Sequence, residues 1–278
     1  MSDCLSMRGV WKSYEAGVRG CSATVSVLRD IQLDVSSGEI VGIVAAGASG
    51  KTTLLMCAGG LLRPDRGTIS WFGGPARRDF SSRPDGIAYA GDRPFPYGFL
   101  NIREALEYAA IVRDLPVRDG ADRVACALER TGLGAIADRR VDEIDGSALA
   151  RLAVASSLLA RPRLVLVDDL APGYDADTSA ELIAVLRGLA REGAAVVIAG
   201  RLATRLAALD SFPSQPETRF LSLADGRLES ISERPALPTR RAAAPSPNGA
   251  PHETSLHAPR ARVAELSPPS SAQENSAR

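Results

Sequence analysis

Three short apolar runs stand out along the chain: Ile40–Val44, Leu164–Val167 and Ala195–Ile198. Each is nearly continuous and rich in β-formers, the pattern of strands buried on both faces of a parallel sheet. Stretches with helical spacing follow or separate them at Thr52–Gly59, Ala148–Ala160 and Thr178–Arg191. This alternation predicts an α/β fold with a mainly parallel central sheet. The first 39 residues read differently, as alternating segments (Leu5–Tyr14, Val25–Val35) broken by turns, and predict an antiparallel β layer at the edge. From about residue 100 to 157, apolar residues recur at i, i+3 and i+4 through Ile102–Val112 and Val124–Leu133, which predicts a mainly helical segment. The folded body is expected to span residues 1–229. Residues 230–278 hold 8 of the 18 prolines, show neither period and read as a disordered Pro/Ala/Ser/Arg-rich tail. A tail that docks through a short motif is the alternative.

Composition narrows the functional classes. A chain of 278 residues, 45% hydrophobic, can build one large domain or two small ones. Its formal net charge of zero gives no reason to expect a nucleic-acid partner. The four cysteines form no CxxC pair, which argues against a zinc site and for reduced thiols in the cytoplasm. No run approaches the ~20 apolar residues of a membrane helix, and the N-terminus lacks the apolar core of a signal peptide. Any membrane part is therefore expected from another chain.

The candidate chemistry centres on AAGASGKTT, Ala45–Thr53, between the strand Ile40–Val44 and a helical run. That strand–loop–helix setting is the one a phosphate-binding loop requires. Backbone N–H groups of Ala46, Gly47, Ala48, Ser49 and Gly50, with the helix start at Thr52 and Thr53, would surround the phosphates. Lys51 would reach the β- and γ-phosphates, and the Thr52 hydroxyl would coordinate Mg²⁺. Ala45 replaces the first glycine of the strict pattern, and Ala48 stands where many such loops have glycine. A chance GKT at a helix start is the plain alternative. Against it, all but two of the 33 basic residues are Arg, and one of the two lysines stands at this position. Some 115 residues on, RLVLVDDL (Arg163–Leu170) ends a run of β-formers in two acids. Asp168 would hold Mg²⁺ and Asp169 would face an attacking water. Read alone, the same pattern is a strand followed by a solvated acidic turn.

Over about Leu5–Leu228 the layout resembles the nucleotide-binding subunits of ABC transporters, closest to the type serving drug, lipid or polysaccharide export. SSGEIVGIVAAGASGKTTLLMCAGGLLRPDRGTISWFGG is similar to the stretch through Walker A. PYGFLNIREALEYAA resembles the opening of the helical subdomain, here about residues 93–157, which in the family contacts the membrane partner. IDGSALARLAVASSLLARPRLVLVDD resembles the signature helix running into Walker B, PGYDAD the D-loop with Asp175 as its acid, and FLSLADGRL the closing strand and turn. The resemblance implies a P-loop NTPase of ABC type that binds ATP and Mg²⁺, with Tyr14 stacking on adenine. It also implies a homodimer or heterodimer with another ATP-binding subunit, each ATP lying between one Walker A and the other subunit's signature. The partner set includes a multi-span membrane subunit, and the place is peripheral on the cytoplasmic face of the membrane.

Four positions depart from that family. Asp92 stands in place of the Q-loop Gln, and Arg201 in place of the switch His; the only histidines, His252 and His257, are in the tail. The signature reads Ile144-Asp145-Gly146-Ser147-Ala148, so Asp145 brings negative charge toward an anion and Ser147 adds bulk where the family has glycine. Asp169 replaces the usual Glu base and sets its carboxylate back by about 1.5 Å, where ~1 Å can cost ~10²-fold in rate. The expectation is an ABC transporter ATP-binding subunit with weakened hydrolysis. The alternatives are a regulatory or assembly subunit paired with a competent ATPase, a divergent but active ATPase, and a soluble ABC protein without a transporter.

Overall fold

The computed structural model describes residues 3–18, 21–47, 49–75, 85–91, 97–170, 173–209 and 218–231. Ala48, Asp92 and the expected tail from residue 232 onward lie outside the described residues.

The chain opens with a long antiparallel pair, β1 (Asp3–Val18) and β2 (Cys21–Ser36), paired from Leu5 opposite Val35 to Val18 opposite Cys21 with register shifts between Met7 and Ser13. The expected broken segments are thus two continuous strands. They continue through β4 (Arg66–Trp71) and β5 (Gly74–Pro75) into a four-stranded antiparallel sheet of order β2-β1-β4-β5. The second sheet has six strands, in the order β10-β9-β3-β8-β7-β6. Its centre is the three predicted runs: β3 (Ile40–Val44), β7 (Leu164–Val167) and β8 (Ala195–Ala199). With β6 (Ile87–Ala90) and β9 (Thr218–Ala224) they pair in parallel, and only β10 (Arg227–Ser230) runs antiparallel, against β9. β10 ends one residue past the expected body boundary.

The parallel strands carry side chains into two cores, as the period of two requires. Ile40, Val165, Val167, Val196 and Ile198 face one cluster, packed with the helices α2 (Ile102–Val112), α4 (Gly146–Leu158), α5 (Ala176–Arg191) and α6 (Arg201–Leu209). Val41, Ile43, Leu164, Leu166 and Val197 face the other, shared with the antiparallel sheet and with α1 (Lys51–Ala58). Helix α1 lies between the two sheets, and its Leu54, Leu55, Cys57 and Ala58 are all fully buried. Burial of that kind is worth about 1.5–3 kcal/mol for each leucine. Trp71 links the layers, donating its indole N–H to the Ala58 carbonyl at the end of α1, 2.7 Å away.

The helical segment is as expected at α2, which begins in a reciprocal capping box: Asn101 accepts from the Glu104 N–H, and Glu104 accepts from the Asn101 N–H. α3 differs from the expected Val124–Leu133. It runs Val117–Arg130, because its polar first turn, Arg118 and Asp119, hides the helical period, and it stops before the turn Thr131–Gly132. Among the described residues, no helix is long and apolar enough to cross a membrane.

Two outcomes follow from this packing. Trp71→Phe leaves the Ala58 carbonyl buried without its donor and is expected to lower stability by about 1–3 kcal/mol in urea unfolding. Burial pushes the Cys57 thiol up to about 12, so alkylation of the native protein near pH 8 is expected to label exposed Cys126 while Cys57 reacts only on unfolding.

Candidate functional site

The central strand β3 delivers the chain to the loop Ala45–Thr53 at its C-terminal end, the end where ligands lie in parallel α/β sheets. Gly50 makes the turn into α1 with φ +94°, and a Cβ there would stand 2.6 Å from Val27 Cγ1. Only glycine takes that turn without strain. Lys51 follows as a buried residue, 8% exposed, with its ammonium 2.9 Å from the Ala46 carbonyl and 3.5 Å from Ser49 Oγ. The ammonium thus lies across its own loop, within a cleft of about 370 Å³ lined by Gly47, Ser49, Gly50, Thr52, Thr53 and Asp169. Tyr14 is 43% exposed at the rim, its hydroxyl 3.4 Å from Thr53 Oγ1.

A second cleft of about 480 Å³ shares Thr52 and Asp169 with the first and adds Tyr89, Gly91, Arg113, Ser156 and Asp168. β7 brings Asp168 here, buried to 4% exposure. One of its oxygens accepts from the Tyr89 hydroxyl at 2.8 Å and the other from the Asp169 N–H at 2.9 Å. Among the described residues there is no cluster of three or more His, Cys, Asp or Glu able to hold a metal. The donor set, one buried carboxylate and one hydroxyl beside a phosphate loop, fits Mg²⁺, which takes few protein ligands and completes its shell with phosphate and water.

Asp169 is exposed and lines both clefts, with one carboxylate oxygen engaged by backbone. Its Oδ1 accepts from the Arg201 N–H, 3.1 Å away at the start of α6. The carboxylate lies so close to Gly200 (φ +76°) that a Cβ there would overlap it. Arg201, the residue in the switch position, has its guanidinium 5.0 Å from the centre of the Tyr174 ring. Burial raises the pKa of the Tyr174 phenol.

Asp145 is not turned outward as a bare charge. It is the N-cap of α4 and accepts from the Ala148 N–H at 2.8 Å, with Ser147 in the helix's first turn. Asp175 does the same for α5, accepting from Thr178 N–H, and hydrogen bonds from Thr178 hold its carboxyl below the usual range. The structure therefore gathers Lys51, Thr52, Thr53, Asp168 and Asp169 around adjoining clefts with Tyr14 at the rim. Asp145 and Asp175 are instead engaged in capping their own helices. Tyr89, Arg113 and Gly200 belong to the site and were not singled out in the sequence. Tyr89 sits on β6, whose two alanines keep it from standing out as a β-rich run as Leu164–Val167 does, and nothing in the spacing of Arg113 or Gly200 marks them.

A family profile described as "ABC transporter" matches residues 28–171, more than half the chain and the span from β2 to the end of the Asp168–Asp169 segment. The chain belongs to the ABC transporter family. The macrolide export ATP-binding/permease protein MacB of Bordetella avium is 29% identical over 242 residues, which cover 84% of this chain and 35% of that protein. The pyoverdine export ATP-binding/permease protein PvdT of Pseudomonas savastanoi pv. phaseolicola is 30% identical over 201 residues, covering 70% and 30%. The cassette described here spans about a third of the length of these curated relatives. Among solved structures, the dimeric ATP-binding cassette MJ0796 bound to ADP and Pi matches with a TM-score of 0.69 at 21% identity, over 81% of this chain and 96% of that one. That likeness establishes the ABC cassette fold, with its P-loop, parallel sheet and antiparallel β layer.

Because Asp145 caps α4, Asp145→Ala is expected to lower stability by about 1 kcal/mol in thermal or urea unfolding, while Asp145→Ser, which can still cap, stays within a few tenths.

Proposed function

We propose that this cassette binds Mg-ATP in the two adjoining clefts and couples it to transport through a membrane subunit on another chain, with hydrolysis weakened. The observation that carries the reading is the left-handed turn at Gly50 with buried Lys51 behind it, facing a cleft that continues past Thr52 to Asp168. Lys51 exchanges the Ala46 carbonyl for phosphate oxygens, the N–H groups at the start of α1 donate to the anion, and Tyr14 offers its ring to the base. Thr52 and Asp168 hold Mg²⁺, which polarises the terminal phosphate when bound. Asp169 is the candidate to orient and deprotonate the attacking water.

The weakening is supported by what surrounds these groups. One Asp169 oxygen is committed to the Arg201 N–H, and the shorter side chain is held against Gly200. The histidine that the family places at the switch position is Arg201, set over Tyr174. The signature carries Asp145 bonded to its own helix, so a carboxylate lies where the family presents a neutral donor to a partner's nucleotide. This last feature also favours a second reading, a regulatory or assembly subunit that pairs with a competent ATP-binding subunit and turns over little. The membrane partner is supported by an exposed aromatic patch on and before α2. Tyr97 packs against Phe99 (5.7 Å between centroids) and Tyr108 (5.4 Å), with Ile111 and Val112 exposed nearby in sequence. A peripheral place on the cytoplasmic face of the membrane goes with that partner. MacB and PvdT are named as exporters, and export is the direction proposed here.

Equilibrium titration with a fluorescent ATP analogue and Mg²⁺ tests the binding half. Lys51→Ala is expected to weaken affinity roughly tenfold or more. An affinity unchanged by Lys51→Ala contradicts this reading of the loop.

A further inference from the structure

The second cleft holds a cation that the nucleotide reading has not yet used. Arg113 closes the C-terminal end of α2, and its side chain lines the second cleft together with Thr52, Asp168 and Asp169. Its Nη1 donates to the Ala109 carbonyl at 2.9 Å, and its Nη2 lies 3.4 Å from Ser156 Oγ on α4. These contacts fix the guanidinium without neutralising it. Among the described residues it forms no ion pair, although Asp168 and Asp169 line the same cleft. Partial desolvation lowers the pKa of its guanidinium, although the residue as a whole stays exposed. A guanidinium stays protonated in proteins all the same, and it binds phosphate as a fork.

The order of the two clefts indicates which phosphate it would meet. The first is built by Gly47–Thr53 and contains Lys51; the second begins at Thr52 and Asp169 and runs on to Asp168, Ser156 and Arg113. A phosphate chain seated on the loop has room for its inner phosphates in the first cleft. Thr52 and Asp169 line both clefts, so a phosphate chain long enough to pass Thr52 enters the second, and a diphosphate is one phosphate shorter.

We propose that Arg113 is a specificity-determining residue of the nucleotide site, recognising the terminal phosphate of a nucleoside triphosphate from the second cleft, which Lys51 does not line. This rests on the nucleotide-binding reading above. The site then has two cations of different origin: Lys51 belongs to the loop after the central strand, and Arg113 belongs to the helical segment. The triphosphate engages both, and the diphosphate engages only the first.

The test compares the full chain with Arg113→Gln, which keeps hydrogen-bond donors near Ala109 and Ser156 but removes the charge. Affinities are measured with Mg²⁺ for a non-hydrolysable ATP analogue and for ADP. The expected result is an affinity loss of about tenfold for the triphosphate and less than about twofold for ADP, with Arg113→Lys in between. Equal losses for both nucleotides, or no loss for either, overturn the proposal and leave Arg113 as a helix-end contact. A full chain that binds neither nucleotide overturns the nucleotide reading itself, and the proposal with it. A second measurement needs no variant: phenylglyoxal modification of Arg113 in the unaltered chain, followed by mass spectrometry. It is expected to slow several-fold with the triphosphate and not with ADP, and equal rates overturn the proposal.

Discussion

The turn at Gly50 is the constraint on which the rest of the site depends. At φ +94°, with Val27 packed where a Cβ would project, it sends the chain from the central strand into a helix buried between two sheets. The same turn leaves the first N–H groups of α1 without intrahelical partners and places Lys51 behind the loop. Everything else is arranged around that fixed point. β8 and β9 flank β3, and β7 lies beyond β8, so the C-terminal end of β7 carries Asp168 to the same edge of the sheet. β6 then brings Tyr89 against the Asp168 carboxylate. A phosphate loop and a carboxylate some 115 residues apart in sequence become neighbours through parallel pairing alone.

The groups proposed to bind nucleotide and those proposed for turnover come from different elements. Lys51 and Asp168 are buried, where packing fixes them, and Thr52 is exposed at the start of α1 beside them. The groups associated with turnover sit at helix starts, where backbone N–H groups compete for carboxylates. Asp169 is drawn to the start of α6, Asp145 to the start of α4 and Asp175 to the start of α5. A short Asp is well suited to such caps, because its side chain reaches the backbone of its own or a neighbouring helix start. The carboxylates of Asp145 and Asp169, two positions where the chain departs from the family, thus also satisfy backbone N–H groups at helix starts.

Much of the fold was legible in the chain. The three core strands were visible as short β-rich runs because both of their faces are buried, and α2 because its apolar face is periodic. The phosphate loop was legible from a strand, a glycine-bearing loop and a lone lysine in an arginine-rich chain. β5 was not, having only two residues, nor was β6, whose Ile-Ala-Tyr-Ala lacks a run of β-branched residues; β4, half polar, was carried only by the family resemblance. α3 was only partly legible, because its first turn is polar. In the site, residue types foretold roles but not partners. Nothing in the spacing of Asp145 shows that it bonds to Ala148, and nothing in that of Asp169 shows that it meets residue 201, because both contacts depend on where helices begin in space. Tyr89 and Arg113 reach the site through tertiary packing that local pattern does not encode.

Nucleotide binding retained with hydrolysis weakened is the central claim, and steady-state turnover tests it most directly. The purified full chain is assayed at saturating Mg-ATP beside Lys51→Ala. The account predicts turnover well below ~1 s⁻¹, the low end of ordinary enzymes, and close to the rate of that variant. Turnover of ~1 s⁻¹ or faster, abolished by Lys51→Ala, would contradict it and make Asp169 a sufficient base where it stands.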